Sequence, residues 1–248
     1  MADPKFEAQI FGRRVNYFEC DVCRYVQTER PDWLDQAYES AINVSDTGIL
    51  LRNRANVGIV LATLSCLKAR SGKVVDCAGG YGVLVRLLRD AGVEALWSDP
   101  YCQNLFALGF EHDGGHADLV TAFEAFEHFV EPMEDIGKLF TVAPNLLVST
   151  ELAPEPTPKP HEWWYYGLDH GQHIGFFRLA TLEWIARRLG KHLVSDGRNY
   201  HLFSDKKVSA TQWQMACRLA GRLPFVFSRG LPSKVWTDFE RMSQQKGG

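Results

Sequence analysis

The residues of this chain that could do chemistry fall into clusters. Asp76, Ala78, Gly79, Gly80, Tyr81 and Gly82 form a small-residue loop between an apolar run at 73–77 and an amphipathic run that begins at Val83. Glycine suits a loop that must turn tightly and let a ligand lie on bare main chain. The N–H groups that open the next helix would then face that ligand. Asp99, followed by Pro100, ends the next apolar run, 23 residues beyond Asp76. A carboxylate in that place can accept hydrogen bonds from both ribose hydroxyls of an adenosine-type cofactor. The spacing A-x-G-x-G is not the dinucleotide pattern G-x-G-x-x-G, and a carboxylate two positions ahead would repel a pyrophosphate while suiting an ammonium group.

A second cluster is Glu124, Glu127 and His128. If the run ending at Phe123 turns into a helix, the spacing i, i+3, i+4 puts the three side chains on one face. Two carboxylates and an imidazole can hold a divalent metal ion that lowers the pKa of a bound hydroxyl. A metal-free alternative uses His128 or His173 as the base, with the Glu127 carboxylate fixing the tautomer. In a third reading Glu127 only hydrogen-bonds main chain. Trp163, Trp164, Tyr165 and Tyr166 precede Asp169, His170 and His173 in a Pro- and aromatic-rich stretch at 153–177. These aromatics fit a lid that stacks on a sugar or aryl ring, or a satellite core under a long loop. Cys20-x-x-Cys23 has the spacing of a zinc knuckle, but residues 1–19 hold neither Cys nor His. A closed site needs four ligands, so the pair is read as a remnant in a ribbon that caps the site.

The elements that must position these groups alternate. Residues 6–28 read as a β-rich ribbon, and Leu34, Ala37, Tyr38, Ala41 and Ile42 as an amphipathic helix after Pro31. A helix is expected over 54–69, stopping at Ser71-Gly72. Strands are expected at 73–77, 94–98, 117–123 and 145–150, helices at 83–91, 134–142 and 181–189, and a closing pair of strands within 192–204. Alternation of this kind implies a Rossmann-like α/β fold: a mostly parallel sheet with one antiparallel strand and helices on both faces. The expected organisation is a cap at 1–45, a ligand-binding domain at 46–205 carrying the 153–177 lid, and a tail at 206–248.

Length and charge bound the rest. The 248 residues suffice for one sizeable core. A net charge of -3 argues against a general nucleic-acid binder. The longest apolar run, near 57–67, is too short to cross a bilayer, which takes about 20 residues. With no secretory pattern at the start and six cysteines in so long a chain, a cytoplasmic location with reduced thiols is expected. The tail holds eight basic residues against two acidic ones. It reads as a solvated helical tail or as a surface for an anionic substrate or lipid headgroups.

The loop at 76–82 resembles the first motif of class I S-adenosylmethionine-dependent methyltransferases, with Ala78 in place of the usual first glycine. The segment Asp118-Leu119-Val120-Thr121-Ala122-Phe123-Glu124-Ala125-Phe126-Glu127-His128-Phe129, then Glu131-Pro132, resembles the fourth-strand motif of a group (types 11 and 23) that includes small-molecule and sugar O-methyltransferases. Gly171-Gln172-His173-Ile174-Gly175-Phe176-Phe177, then Thr181-Leu182, is similar to the same group's segment after the fifth strand. The resemblance spans about residues 15–204. It implies S-adenosyl-L-methionine as cofactor, with Asp76 and residues 78–82 on the methionine end. Asp99 and Pro100 would lie by the ribose and Ala122 and Phe123 along the cofactor edge, with Phe110 and Glu111 as adenine neighbours. Glu-x-x-Glu-His in the similar ubiquinone-pathway O-methyltransferases is thought to bind a divalent ion, which maps onto Glu124, Glu127 and His128. The expected reaction is methylation of a hydroxyl on a sugar, glycan or polyhydroxy metabolite. The alternatives are O- or N-methylation of an aromatic or natural-product acceptor, and a module that binds the cofactor without turnover.

Overall fold

The computed structural model of the chain describes residues 3–38, 46–223 and 225–245. In chain order, β1 (Phe6–Ile10), β2 (Arg13–Glu19) and β3 (Val26–Thr28) are followed by the single turn α1 (Leu34–Ala37) and the long α2 (Ile49–Cys66). Then come β4 (Lys73–Cys77), α3 (Val83–Asp90), β5 (Glu94–Ser98), β6 (Leu119–Phe123), α4 (Pro132–Val142) and β7 (Leu146–Ser149). The chain continues with β8 (Gly175–Phe176), α5 (Leu179–Arg188), β9 (His192–Ser195), β10 (Tyr200–Ser204), α6 (Ala210–Arg222), α7 (Phe225–Ser228) and α8 (Val235–Gln245).

Six strands form the central sheet in the order β5-β4-β6-β7-β10-β9. β5, β4, β6 and β7 are parallel, and β10 runs antiparallel to both its neighbours. A lone parallel bridge, Trp97 to Glu111, extends the β5 edge. Alternate residues along the strands feed two cores, as a pleat buried on both faces requires. Val74, Leu119, Leu147 and Leu202 join α2, α3 and α6 on one face. Val75, Val120, Val148 and Phe203 join α4 and α5 on the other.

A smaller antiparallel sheet, β1-β2-β3-β8, stands beside the first. Its last strand comes from within the 153–177 stretch, so the expected cap and lid share one sheet and one core. Trp163, Tyr165 and Tyr166 are buried there with Tyr17 and Phe176. Among the four aromatics that were candidates for a stacking lid, Trp164 alone is exposed, at 76%.

Three expectations change. α2 begins at Ile49 and ends at Cys66, where Lys68 takes the left-handed turn with φ 57°. Gly72 does not end the helix: a Cβ there would lie 2.9 Å from that of Asp118, so the glycine permits a close approach. The amphipathic helix after Pro31 is one turn among the described residues, and Ala41 and Ile42 lie outside them. The C-terminal segment is not a loose tail. α6 packs along α2, with the Trp213 indole donating to Thr63 Oγ1 at 3.0 Å. α8 is fastened by Asp238, which accepts from the buried Arg89 through two bonds of 2.8 Å and from Arg86 at 2.6 Å.

Candidate active site

Parallel strands deliver their C-terminal ends to one edge of the sheet, where ligands of such folds bind. The loop after β4 lies there. Ala78 (φ 67°), Gly80 (φ 53°) and Gly82 (φ 87°) are all left-handed. Space rather than φ demands Gly79, because a Cβ would come 2.7 Å from the Trp97 ring, whose Nε1 donates to Gly80 O at 2.8 Å. Gly82 is pressed by Asn104, and the Tyr81 carbonyl accepts from the N–H groups of Leu105 and Phe106. Gly80, by contrast, has nothing within 4 Å of where a Cβ would stand. The loop is braced from behind and bare at its crest, which fits a cofactor lying against main chain.

Asp76 is 3% exposed beneath this loop and accepts from Thr121 Oγ1 at 2.6 Å. Burial, with the Asp99 charge in the same direction, pushes its pKa up to about 7 against that bond. Asp99 accepts the N–H groups of Gly80 at 2.9 Å, Tyr101 at 2.8 Å and Cys102 at 3.0 Å. It therefore sets the loop's shape. Pro100 leads into Tyr101, whose ring stacks on that of Tyr38 with centroids 6.4 Å apart. Ala122 and Phe123 end β6, with Phe123 edge-on to Tyr200. Phe110, expected as an adenine neighbour, is buried under the Arg89 guanidinium, 3.8 Å above the ring. The Glu111 carboxylate accepts from Asn104 Nδ2 at 2.7 Å.

Beyond β6 the helical spacing expected for Glu124, Glu127 and His128 does not form. Glu124 has φ 49°, and a 3-10 turn over Phe126–His128 follows. The left-handed residue turns Glu124 aside, and Ser149 Oγ donates to its Oε1 at 2.5 Å. The metal-capable set is thereby corrected. Among the described residues it is Glu127, His128 and His173 whose ligand atoms all lie within 4.8 Å of one another. His173 arrives from the segment leading into β8, a meeting that spacing along the chain does not show.

The two histidines are held alike. His128 Nδ1 lies 3.0 Å from Gln172 O and 2.9 Å from the Tyr38 hydroxyl, and His173 Nδ1 lies 2.6 Å from Tyr165 O. A carbonyl only accepts, so the neutral tautomer with its proton on Nδ1 suits both rings and leaves Nε2 its lone pair. Burial lowers the pKa of both, and of His173 most, so both rings are neutral at pH 7. Glu127 is fully buried, and neither of its oxygens has a hydrogen-bond partner among the described residues. Burial pushes its pKa up to about 7, against the weaker pull of its own main-chain N–H and of the nearby Tyr165 and Thr150 hydroxyls, none of which reaches hydrogen-bond geometry with it. Glu124 is also raised to about 7, by burial and the neighbouring Glu127 charge. His170 stays outside the set, its ring 4.9 Å from that of His173. Tyr38, Trp97 and the carbonyls of Tyr165 and Gln172 are site-forming groups that the sequence did not announce.

The sheet order, with its glycine loop after the first parallel strand and an acid at the end of the second, defines the class I methyltransferase fold. Residues 52–195, more than half of the chain, match the sequence model of the family described as a methyltransferase domain. The chain belongs to that family and is an S-adenosylmethionine-dependent methyltransferase. No curated protein matches the sequence. Among solved structures, it is similar to an O-methyltransferase family protein from Burkholderia thailandensis at 17% identity, covering 71% of this chain and 68% of that one, with a TM-score of 0.47. It is also similar to magnesium protoporphyrin IX methyltransferase from Synechocystis PCC 6803, at 20% identity over 69% and 91% of the two chains, with a TM-score of 0.45. A methyltransferase of calicheamicin biosynthesis overlaps at 18% identity over 61% of this chain and 54% of its own, with a TM-score of 0.42. The chain thus spans about half the length of the last. Overlaps this shallow say nothing about the acceptor.

Proposed function

We propose that this methyltransferase acts on a hydroxyl oxygen of a sugar, glycan or other polyhydroxy metabolite, seated against His128, His173 and Glu127. The observation that supports the reading is the pair of histidines, each with Nδ1 within hydrogen-bond distance of a main-chain carbonyl, at the strand ends that also carry the glycine loop. S-adenosylmethionine supplies a methyl group already activated by its sulfonium. The chain's own part is then alignment and proton removal. Residues 78–82 would hold the methionine portion on bare main chain with Asp76 beneath, and Asp99 would take the ribose hydroxyls. A neutral Nε2 of His128 or His173 accepts the acceptor's proton, and its anchored Nδ1–H keeps the ring from turning. The acceptor's sugar character rests on the family resemblance; a soluble, cytoplasmic setting is proposed with it.

A second reading is favoured by the two unpartnered oxygens of buried Glu127. A divalent transition metal held by Glu127, His128 and His173 would satisfy them, and histidines that donate Nδ1–H to main-chain carbonyls are the usual orientation of metal ligands. Such an ion supplies Lewis acidity toward the acceptor hydroxyl.

The test is detection of S-adenosylhomocysteine release across a panel of nucleotide sugars, oligosaccharides, catechols and flavonoids, with and without chelator. Turnover on a carbohydrate, slowed about 100-fold or more by His173→Ala or His128→Ala, supports the proposal. Turnover confined to aromatic acceptors replaces it. Loss of activity in chelator, restored by one metal ion, selects the second reading.

A further inference from the structure

Cys20 and Cys23 are the chemistry-bearing pair that methyl transfer leaves unused. They sit in the turn between β2 and β3. Cys20 N–H donates to Tyr25 O at 2.8 Å, Arg24 N–H donates to Cys20 O at 2.8 Å, and Arg24 takes the left-handed conformation with φ 63°. Both thiols are free, Cys20 exposed and Cys23 half-buried. Only two residues separate them in one turn, close enough for each to influence the other. The main-chain N–H groups of Cys23 and Val22 draw the Cys20 thiol down, and burial and the Cys20 sulfur hold the Cys23 thiol up. N–H groups turned toward sulfur favour thiolate, which is the form that binds metal.

The turn is set before any ligand arrives. Glu19, immediately ahead of Cys20, is bound by Lys5 and by Arg24, and it accepts from Thr157 Oγ1 at 2.6 Å. Behind it, Thr181 Oγ1 donates to Cys23 O at 2.8 Å and ties the tip to the start of α5. Among the described residues no third His, Cys or carboxylate joins the two sulfurs in a metal-capable set. A closed tetrahedral zinc site takes four ligands with Zn–S near 2.3 Å. One chain offers two, on a projecting tip whose middle residue, Val22, is 78% exposed.

We propose that two copies of this chain join tip to tip and bind one Zn²⁺ through Cys20 and Cys23 of each. A two-fold axis through the metal makes the four sulfurs equivalent, as isologous pairing requires. The Val22 side chains meet beside it. No oxidant is involved. Four S–H bonds give four Zn–S bonds, and up to four protons pass to the buffer.

The experiment takes the full-length, reduced, metal-free chain and titrates it with zinc chloride, and separately with cobalt chloride. The result expected, beyond any ion held by the Glu127 cluster, is one metal ion per two chains, a doubling of mass by light scattering, and thiolate-to-cobalt charge-transfer bands with a tetrahedral visible spectrum. Cys20→Ser and Cys23→Ser each abolish all three while leaving S-adenosylhomocysteine binding unchanged, which shows that the variants fold. His173→Ala retains all three, which separates this site from the Glu127 cluster. The proposal is overturned if the His173→Ala chain fails to bind micromolar zinc or holds one metal ion as a monomer, or if a dimer forms equally well without metal or with Cys20→Ser.

Discussion

Replacing Glu127 by Gln probes the most unusual group in the site. Its carboxyl is fully buried without a hydrogen-bond partner among the described residues, and its pKa is raised from 4.5 to about 7. The folded state therefore binds this proton more tightly than the unfolded chain does. Its favourable contribution is complete below about pH 4.5 and is lost as pH rises through about 7. At about 1.4 kcal/mol per pKa unit, the loss is about 3 kcal/mol. Asp76 and Glu124 are raised to about 7 as well, so the wild-type curve alone would mix three carboxyls. The variant removes Glu127, and with it the charge that helps to raise Glu124. Urea unfolding at a series of pH values from 4.5 to 8.5, in chelator, gives the stability of each protein. Wild type minus Glu127→Gln should fall by about 3 kcal/mol across that span. The amide's own desolvation cost shifts the whole difference without changing its slope. A difference that stays level with pH would refute the argument, because it would mean the carboxyl ionises as easily inside as outside. Repeating the series with a divalent metal adds a second reading: a bound ion holds Glu127 ionised and removes the slope.

Asp99→Ala should weaken S-adenosylhomocysteine binding about 100-fold by calorimetry, since it strips both the proposed ribose acceptor and the brace for three N–H groups. Unchanged affinity would place the cofactor elsewhere. Ala78→Gly should raise stability by up to about 1 kcal/mol, because a Cβ is strained at φ 67°. A lower melting temperature would show that the methyl group packs usefully. Asp238→Ala should cost about 3 kcal/mol in urea unfolding, because Arg89 is left buried beside Glu94 without its main partner. A loss close to zero would mean that α8 is not fastened by this pair.

The sequence by itself determined the central sheet and the cofactor loop. Both rest on local rules: alternating apolar runs build strands buried on two faces, and the run of small residues from Ala78 to Gly82 marks the turn between strand and helix. Even there, the reasons for Gly79 and Gly72 were tertiary, since Trp97 and Asp118 approach from distant segments. The cluster proposed for the acceptor side was decided by tertiary structure. Glu124 drops out because a single left-handed residue breaks the helical spacing, and His173 enters because β8 pairs with β3 and carries the preceding loop to the end of β6. The aromatic stretch likewise looked like a ligand platform until the cap sheet claimed three of its four rings for a core. A basic count at the C-terminus gave no hint that Asp238 would bind two arginines of α3. Spacing along the chain reports neighbours within a turn or a strand. Contacts between segments a hundred residues apart are set by which faces the sheet leaves to be covered, and that becomes legible only when the chain is folded.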